Sequence, residues 1–374
     1  MKLLHTADWH LGKTLKGQNL LDDQIFILNQ LFDVISDQNP DAIIISGDIY
    51  DRGIPPAEAV ELFDDILNRF AEKKLPTLII SGNHDSATRL NFGSKLFRSK
   101  NIFIASKIED IPAQVVLEDN FGEIYFSLIP FFDPAEIKAK FFDENAERLT
   151  FNDANKFYVD LARKNIPENK RSVAIAHVFL TGGVESESER KFVGGSANVN
   201  AQIFNKYNYV ALGHLHRPQK ISSECIRYAG SPLKYSFDEA NHKKSVAIVE
   251  IDDLGAINIK KIDLKPRRDV KIVKGNIFEL MQSEKTEDYI CARLTERVIN
   301  VQDKLRYIFP HLLSVEFDFP KNDSKNDDEA KIFREGVSIL DYFSDFYQAQ
   351  TQESLNSEYR AEMGKFLSEM EKEE

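Results

Sequence analysis

Cysteine is scarce in this chain of 374 residues, which carries only Cys225 and Cys291. Two cysteines provide neither a disulfide framework nor a Cys-x-x-Cys zinc motif, and this usage is typical of a reducing compartment. No apolar run approaches the ~18 residues of a membrane span, so we expect no membrane association. The apolar run at the amino terminus is too short for a signal peptide. The sequence therefore predicts a cytoplasmic protein.

The chain also lacks the Gly-x-x-x-x-Gly-Lys-Ser/Thr motif, so any dependence on ATP must come from another subunit. Acidic residues outnumber basic residues, and the resulting net charge of −12 gives no support to a nucleic-acid ligand. Much of that excess lies in residues 321–374, which hold 14 acidic and 7 basic side chains. Bound cations would reverse the local charge at a site. The net charge therefore does not exclude a phosphodiester substrate.

The length predicts two or more domains, because it exceeds that of a usual single core. We place a first domain at 1–264, ending before Lys265-Pro-Arg-Arg, and a small α+β module at 265–320, with strands at 269–273, 289–295 and 313–319. Residues 321–330 are polar and predict a linker. In 331–374, apolar residues recur at helical intervals and predict two amphipathic helices; they are Ile332, Phe333, Val337, Leu340, Phe343, Phe346 and Tyr347, then Tyr359, Met363, Phe366, Leu367 and Met370.

Residues with metal-ligand chemistry follow five apolar, strand-like segments. The first, Leu3-Leu4, leads into Asp8-x-His10, and residues two apart in an extended chain point to the same side. The other four segments are 41–46, 75–81, 172–176 and 207–212, which lead into Gly47-Asp48, Gly82-Asn83-His84-Asp85, His177 and Gly213-His214-x-His216. In open α/β sheets the ligand crevice lies outside the carboxyl ends of the strands. The pattern predicts one site built from several strand ends.

Seven of these side chains offer oxygen or imidazole ligands, namely Asp8, His10, Asp48, Asn83, His177, His214 and His216. Seven ligands are too many for one ion and suit two ions joined by a bridging carboxylate. Two cations about 3.5–4 Å apart stabilise both the attacking and the leaving oxygen of a displacement at phosphorus. Mixed carboxylate, amide and imidazole ligands fit manganese, iron or zinc. Each motif alone is weak evidence for a metal site, and the prediction depends on all five motifs occurring in this order.

Other histidines receive different interpretations. His84 is a titratable group beside the ligand set, whereas His5 lies inside the first strand and is expected in the core. His242 and His311 have no informative context, so we expect them at the surface. The stretch 181–200 is rich in glycine, serine and glutamate, and a solvated loop is the simpler interpretation, with a substrate-contacting lid as the alternative.

The ordered ligand set resembles the calcineurin-like metallophosphoesterase superfamily over roughly residues 1–250. The resemblance implies an α/β fold, a sandwich of sheets flanked by helices. Four finer motifs are similar to those of the bacterial SbcD nuclease subunits, whose family pattern covers nearly the whole chain. These motifs are Thr6-Ala-Asp-Trp-His-Leu-Gly12, Gly82-Asn-His-Asp-Ser86 with Arg89-Leu90, Gly213-His-Leu-His-Arg-Pro218, and Tyr228-Ala-Gly-Ser-Pro232 with Ser236-Phe-Asp-Glu239.

The SbcD resemblance implies two manganese ions bridged by Asp48. One ion would be held by Asp8, His10 and His216, and the other by Asn83, His177 and His214. It gives His84 a catalytic role, stabilising the transition state or protonating the leaving alkoxide, which suits an imidazole that changes charge near neutral pH. The alternative is that His84 only orients the metal site.

The resemblance also implies partners and substrates. The partner would be the ATPase subunit SbcC, and the pair would act in DNA repair, recombination and replication. Its activities would be ATP-linked exonuclease action on double-strand ends and endonuclease action on hairpins and single strands. The module at 265–320 would be a DNA-contacting cap, 331–374 would bind SbcC, and the apolar face of 56–70 would support a homodimer within a heterotetramer. The terminal helices alternatively fold back onto their own domain.

Two other functions compete with the nuclease. The segment Gly47-Asp48-Ile-Tyr-Asp51-Arg52-Gly53 is similar to one in protein serine/threonine phosphatases, which favours a phosphatase or cyclic-nucleotide phosphodiesterase of the same superfamily. A scaffold with weak catalysis is the third possibility, but the complete ligand set argues against it. The Trp9 motif, the cap and the helical tail favour the nuclease.

Overall fold

The computed structural model describes residues 1–189, 198–298, 300–318, 338–351 and 354–370. Met1–Asp318 form one compact unit, and Phe319–Glu374 form a second. The predicted linker at 321–330 and the apolar residues Ile332, Phe333 and Val337 lie outside the described residues. The division of the first unit at residue 264 stays a prediction.

The strands of the described residues follow in chain order: β1 Lys2–Thr6, β2 Thr14–Leu15, β3 Gln18–Asn19, β4 Ala42–Ser46, β5 Thr77–Ile80, β6 Ile102–Ala105, β7 Gln114–Asp119, β8 Gly122–Ile129, β9 Arg171–His177, β10 Tyr209–Gly213, β11 Gln219–Ile221, β12 Ser223–Tyr228, β13 Ser245–Ile251, β14 Ile257–Asp263, β15 Val270–Gly275, β16 Tyr289–Leu294 and β17 Leu312–Phe317.

The α-helices of the same residues are α1 Leu21–Gln38, α2 Ala57–Lys73, α3 Ala87–Leu90, α4 Ser94–Phe97, α5 Pro134–Phe141, α6 Phe151–Arg163, α7 Ile277–Met281, α8 Val301–Arg306, α9 Ile339–Thr351 and α10 Ser357–Met370. Short 3₁₀ turns lie at Arg98–Lys100, Ala201–Phe204 and Phe237–Asn241. No described helix has the length and apolarity that crossing a membrane requires.

Two six-stranded sheets form the body of the first unit. Their strand orders are β14-β13-β1-β4-β5-β6 and β11-β12-β10-β9-β8-β7. In the first sheet β1, β4, β5 and β6 run parallel, and in the second β8, β9, β10 and β12 do. The predicted α/β sandwich of sheets flanked by helices is confirmed.

The apolar residues between the two sheets explain why the central strands read as uninterrupted hydrophobic runs. Ile44 and Leu78 from one sheet share a buried cluster with Phe126, Val173 and Ile175 from the other. The opposite faces of the sheets are buried as well, by α1 and α2 on the first sheet and by α6 on the second. A strand covered on both faces has no polar side to display.

This arrangement brings the predicted ligands to one edge of the sandwich. Strands β1, β4 and β5 are parallel neighbours, so the loops that follow them meet at their shared carboxyl ends. In the second sheet β9 and β10 are also parallel neighbours. Because β4 contacts both β9 and β10 across the sandwich, the loops of the two sheets converge.

Strand β14 is not apparent in the sequence because its exposed residues are charged or polar. It pairs antiparallel with β13 along its whole length and forms the edge of the first sheet. Half-buried and exposed residues alternate along it except at Lys260 and Lys261, which are both exposed. Charged residues on an edge strand also discourage pairing with another chain.

The predicted α+β module is present as the parallel sheet β15-β16-β17 with α7 and α8. Its own core contains Leu280, Ile290, Leu294, Leu305 and Phe309.

In the second unit, the predicted terminal helices are α9 and α10. They contact one another and enclose an apolar groove of about 340 Å³ whose lining includes Phe343, Tyr347, Tyr359, Met363 and Phe366.

Candidate metal centre

Four of the seven predicted ligands sit on strained backbone at the ends of their strands. Asp8, His10, Asp48 and His214 have φ angles of 55°, 45°, 51° and 110°. Residues with a Cβ avoid positive φ, and such strain costs about 1–3 kcal/mol per residue. The fold can keep four strained residues in one place because the packing of the surrounding sheets holds their main chain in this conformation. Strain of this kind concentrates at functional sites.

The two sheets approach so closely at this edge that glycine is required. A Cβ at Gly213 would lie 2.0 Å from the Ser46 carbonyl oxygen and 2.9 Å from His177 Nδ1. The glycine before His214 therefore lets the end of β10 lie against the end of β4. This contact brings ligands from both sheets into one cluster.

Asp48 occupies the middle of the cluster. Its Oδ2 lies 3.5 Å from His10 Nε2 and 3.4 Å from His177 Nε2. Its Oδ1 accepts a hydrogen bond of 2.9 Å from the His84 main-chain N–H. One carboxylate oxygen therefore faces imidazoles on two sides, which is the placement that a bridging ligand requires.

On one side of Asp48, His10 Nε2 lies 3.0 Å from His216 Nε2. Burial lowers the pKa of both histidines, so both imidazoles are neutral. Asp8 is fully buried; its Oδ1 accepts from the His214 main-chain N–H at 2.8 Å, and its Oδ2 has no hydrogen-bond partner among the described residues. Burial raises the pKa of Asp8 well above its usual value. A buried carboxyl oxygen without a donor, in a side chain whose Oδ1 lies 3.9 Å from His177 Nδ1, fits a cation.

On the other side, Asn83 Oδ1 lies 2.9 Å from His177 Nε2 and 2.9 Å from His214 Nδ1. His177 Nδ1 lies 2.8 Å from the Ser46 carbonyl oxygen, to which it donates, so Nε2 faces the cluster. Burial and the charge of His177 lower the pKa of His214 to about 3. An amide oxygen and two imidazole nitrogens again form a ligand set that fits a divalent cation.

Two groups in the centre carry charge when no metal is bound. Burial would lower the pKa of His177, but the Asp48 carboxylate outweighs it and raises the pKa to about 9. Burial likewise opposes ionisation of Asp48, yet the His177 charge holds its pKa well below the usual value. A cation bound here would replace the His177 proton as the partner of Asp48.

His84 differs from the imidazole ligands in its exposure and contacts. It is only partly buried, and its Nδ1 lies 2.8 Å from the Asp51 main-chain oxygen. Its ring stands edge-on to that of His10, with centroids 4.6 Å apart. Ligand atoms of His84, His10 and Asp48 lie within 4.8 Å of one another, as do those of Asp8, Asp48 and His177. With Nδ1 held by the main chain, Nε2 is the ring nitrogen left to act on a substrate.

Several residues that support the centre are not among those predicted from the sequence. Asp85 accepts main-chain hydrogen bonds from Ile49, Tyr50 and Gly82, which ties the loop after β4 to the loop after β5. Its position inside the motif Gly82-Asn-His-Asp was the available indication. Glu239 is fully buried beside His216 and closes the Ser236-Phe-Asp-Glu motif.

The loop predicted as solvated contacts the centre through its described part. Glu189 Oε1 accepts a 2.6 Å hydrogen bond from the His216 main-chain N–H, and Ser188 Oγ lies 2.6 Å from His216 Nδ1. Both contacts join residues far apart in the sequence, and no local pattern indicates them. Residues 190–197 of this loop lie outside the described part.

The remaining histidine predictions have mixed outcomes. His5 is confirmed as a core residue, fully buried between Tyr209 OH at 2.9 Å and Ser46 Oγ at 3.0 Å. The surface prediction is wrong for His242, whose side chain is 15% exposed and lies near Glu239. His311 is 26% exposed and pairs with Glu287, so it is only partly at the surface.

The fold and the centre together define a class. Residues 1–218 match the family described as calcineurin-like phosphoesterase. The D subunit of the nuclease SbcCD from Staphylococcus epidermidis is 35% identical over 349 residues, which cover 89% of this chain and 91% of that protein. The D subunit of the same nuclease from Staphylococcus saprophyticus is 35% identical over 383 residues, covering 98% of each chain. The chain thus belongs, within the calcineurin-like phosphoesterases, to the family of SbcD nuclease subunits.

Membership in this family makes the chain a metal-dependent phosphodiester hydrolase, as the sequence predicts. Two solved structures are also similar. The protein TT1561 of Thermus thermophilus has a TM-score of 0.40 and 11% identity, covering 70% of this chain and 98% of that one. The calcineurin-like phosphoesterase YfkN from Bacillus subtilis has a TM-score of 0.35 and 12% identity, covering 71% and 90%. The assignment depends on the family match and the two nuclease relatives.

Proposed function

We propose that this chain is the nuclease subunit of a cytoplasmic complex that processes DNA ends and hairpins with two bound manganese ions. The observation that carries the proposal is the position of Asp48 Oδ2, between His10 Nε2 at 3.5 Å and His177 Nε2 at 3.4 Å. One carboxylate oxygen shared by two imidazole clusters favours two cations over one. Membership in the nuclease family supports DNA as the substrate.

The two proposed ligand sets are those that the family resemblance implies, and they share Asp48. Asp8, His10 and His216 hold one ion, and Asn83, His177 and His214 hold the other, with Asp48 bridging. When bound, the two ions supply a water nucleophile at neutral pH and neutralise charge on the phosphate. The protein's own part is to keep the imidazoles and carboxylates in fixed orientation, since the strained main chain that carries them is locked by the sheets.

His84 is proposed as the catalytic residue. Its ring lies against that of His10 without belonging to either ligand set, and it is more exposed than the imidazole ligands. The Asp51 carbonyl fixes the ring through Nδ1. When the ring is doubly protonated, its Nε2–H can stabilise charge on the phosphate or give its proton to the leaving alkoxide.

The partner is proposed from the relatives' name and from the tail. A protein named as the D subunit of SbcCD implies a second subunit, SbcC, which would supply the ATP dependence for the double-strand exonuclease activity. Helices α9 and α10 enclose an apolar groove that suits a helix of such a partner. For a homodimer, α2 offers the exposed side chain of Val60, because Phe63, Leu67 and Phe70 are buried in the core.

The experiment that tests this proposal compares two substrates. An end-labelled DNA hairpin is incubated with the protein and manganese, with and without the SbcC subunit and ATP, and bis-nitrophenyl phosphate is tested in parallel. We expect manganese-dependent cutting of the hairpin, enhanced by SbcC and ATP. Hydrolysis of the small ester with no action on any DNA would instead support a phosphodiesterase.

A further inference from the structure

His216 differs from His177, another proposed imidazole ligand, in what holds its ring. Its Nδ1 lies 2.6 Å from Ser188 Oγ and 3.3 Å from Glu239 Oε1. The Nδ1 of His177 is held instead by the main-chain oxygen of Ser46, at 2.8 Å. The orientation of His216 therefore depends on two side chains, one in the loop before β10 and one after β12.

Glu239 is itself held by the half-buried Ser188 and the buried Lys244. It is fully buried, Oε1 accepts from Ser188 Oγ, and Oε2 accepts from Lys244 Nζ, both at 2.5 Å. Lys244 also donates to the His216 carbonyl oxygen and to Ser231 Oγ, each at 2.8 Å. A buried carboxylate persists only with such compensation, and here the compensating lysine also binds the main chain of His216.

The available donors and acceptors determine where the protons of Ser188 and His216 lie. An ionised Glu239 can only accept, so the single hydroxyl proton of Ser188 is donated to it. The Ser188 oxygen then accepts from His216, which places the imidazole proton on Nδ1. His216 Nε2 is left with its lone pair, and it is this atom that lies 3.0 Å from His10 Nε2.

We propose that Glu239 is a positioning residue of the metal centre. Through Ser188 it fixes the tautomer and orientation of His216, and its charge strengthens the bond from Nε2 to a cation. The affected cation is the one that His216 shares with Asp8 and His10. This inference rests on the proposed two-ion centre.

The test is a manganese titration of the full chain by electron paramagnetic resonance, which counts free manganese. Glu239→Gln alone would leave the Lys244 charge buried without a partner, so it is combined with Lys244→Met. We expect one of two manganese sites to weaken by about 10- to 100-fold, with the other unchanged. Ser188→Ala keeps the Glu239–Lys244 pair and should weaken the same site by a smaller factor.

A control separates positioning from general damage. Asp119→Asn breaks the part-buried ion pair with Arg171, which belongs to neither ligand set. It should lower the thermal midpoint of the metal-free protein and leave both manganese affinities unchanged.

Each outcome bears on a different claim. If the unaltered protein binds fewer than two ions, the proposed function is overturned. If it binds two ions, and both Glu239→Gln/Lys244→Met and Ser188→Ala bind them with unchanged affinity, only the role of Glu239 is overturned. Equal weakening of both sites would also overturn it, because a positioning role acts on the His216 ion alone.

Discussion

At the scale of single residues, the centre works by separating similar side chains into different tasks. His177 and His216 both present Nε2 to the cluster, but the first is held by a main-chain oxygen and the second by side chains. His84 is held by a main-chain oxygen too, yet it stays partly exposed. Exposure therefore supports the proposed role of His84 at the substrate, and burial supports the proposed role of the other imidazoles as ligands.

His84→Ala tests this division of tasks. We expect manganese and DNA binding to be retained and DNA cleavage to fall by about 10²- to 10⁴-fold, because a positioned acid or base contributes that much. The measurements are manganese affinity, DNA affinity and single-turnover cleavage. His311→Ala, which removes a partly exposed histidine in the small module, is the matched control and should cleave normally. Loss of manganese binding in His84→Ala would make His84 a ligand.

A second residue-scale prediction concerns pH. The folded pKa of His177, about 9, lies above its ordinary value of 6.5. The stability it contributes to the metal-free protein is therefore complete below pH 6.5 and is lost as the pH rises through about 9. Burial also raises the pKa of Asp85 to about 7 and that of Glu189 to about 8, so their ionisation lowers stability in the same direction.

The measurement is the thermal midpoint at about pH 6.5 and about pH 8.5, with a chelator and with manganese. The midpoint with chelator should fall as the pH rises. The increase caused by manganese should grow, because the metal competes less with the His177 proton as the pH approaches the pKa of about 9. In His177→Asn, the thermal midpoint with chelator should fall less between the two pH values. A manganese effect that is the same at both pH values would contradict the placement of His177 in the site.

At the scale of elements, the ends of five strands build the centre, and much of this is readable in the sequence. These five strands are largely apolar, and each ends in or leads into a proposed ligand residue, so the strand positions and the candidate ligands are both predictable from local patterns. The contacts that support these residues are not predictable from local patterns. Glu189 and Lys244 reach His216 from separate loops, and such pairings depend on the folded chain rather than on neighbours in the sequence.

Gly213→Ala tests the close approach of the two sheets. The added Cβ would lie 2.0 Å from the Ser46 carbonyl oxygen, so the ends of β10 and β4 must separate. We expect the free energy of unfolding in urea to fall by about 3 kcal/mol and manganese binding to weaken with it. In Gly53→Ala, the control, the nearest atom lies 3.8 Å away, so stability should change little. Equal stability of the two variants would contradict the close approach.

At the scale of the whole molecule, one buried carboxylate joins the small module to the rest of the first unit. Asp23 in α1 accepts from Tyr289 OH in β16 at 2.6 Å and from Arg268 at 3.3 Å. The contact joins residues far apart in the chain, and the sequence gives no indication of it. It fixes the module against the sandwich.

Tyr289→Phe removes one hydrogen bond of this contact and leaves Arg268 with Asp23. We expect the free energy of unfolding to fall by about 1 kcal/mol, measured in urea, with hydrolysis of bis-nitrophenyl phosphate unchanged. Tyr125→Phe is the matched control, because its hydroxyl meets the more exposed Glu123. It should cost less than about 0.5 kcal/mol. Equal losses in the two variants would mean that Asp23 does not join the module.

The most direct test of the central claim is the anomalous scattering of crystals soaked in manganese, recorded near the manganese absorption edge. The account predicts two peaks about 3.5–4 Å apart, on either side of Asp48, one beside His10 and His216 and one beside His177 and His214. A single peak, or peaks that do not share Asp48, would contradict the two-metal centre.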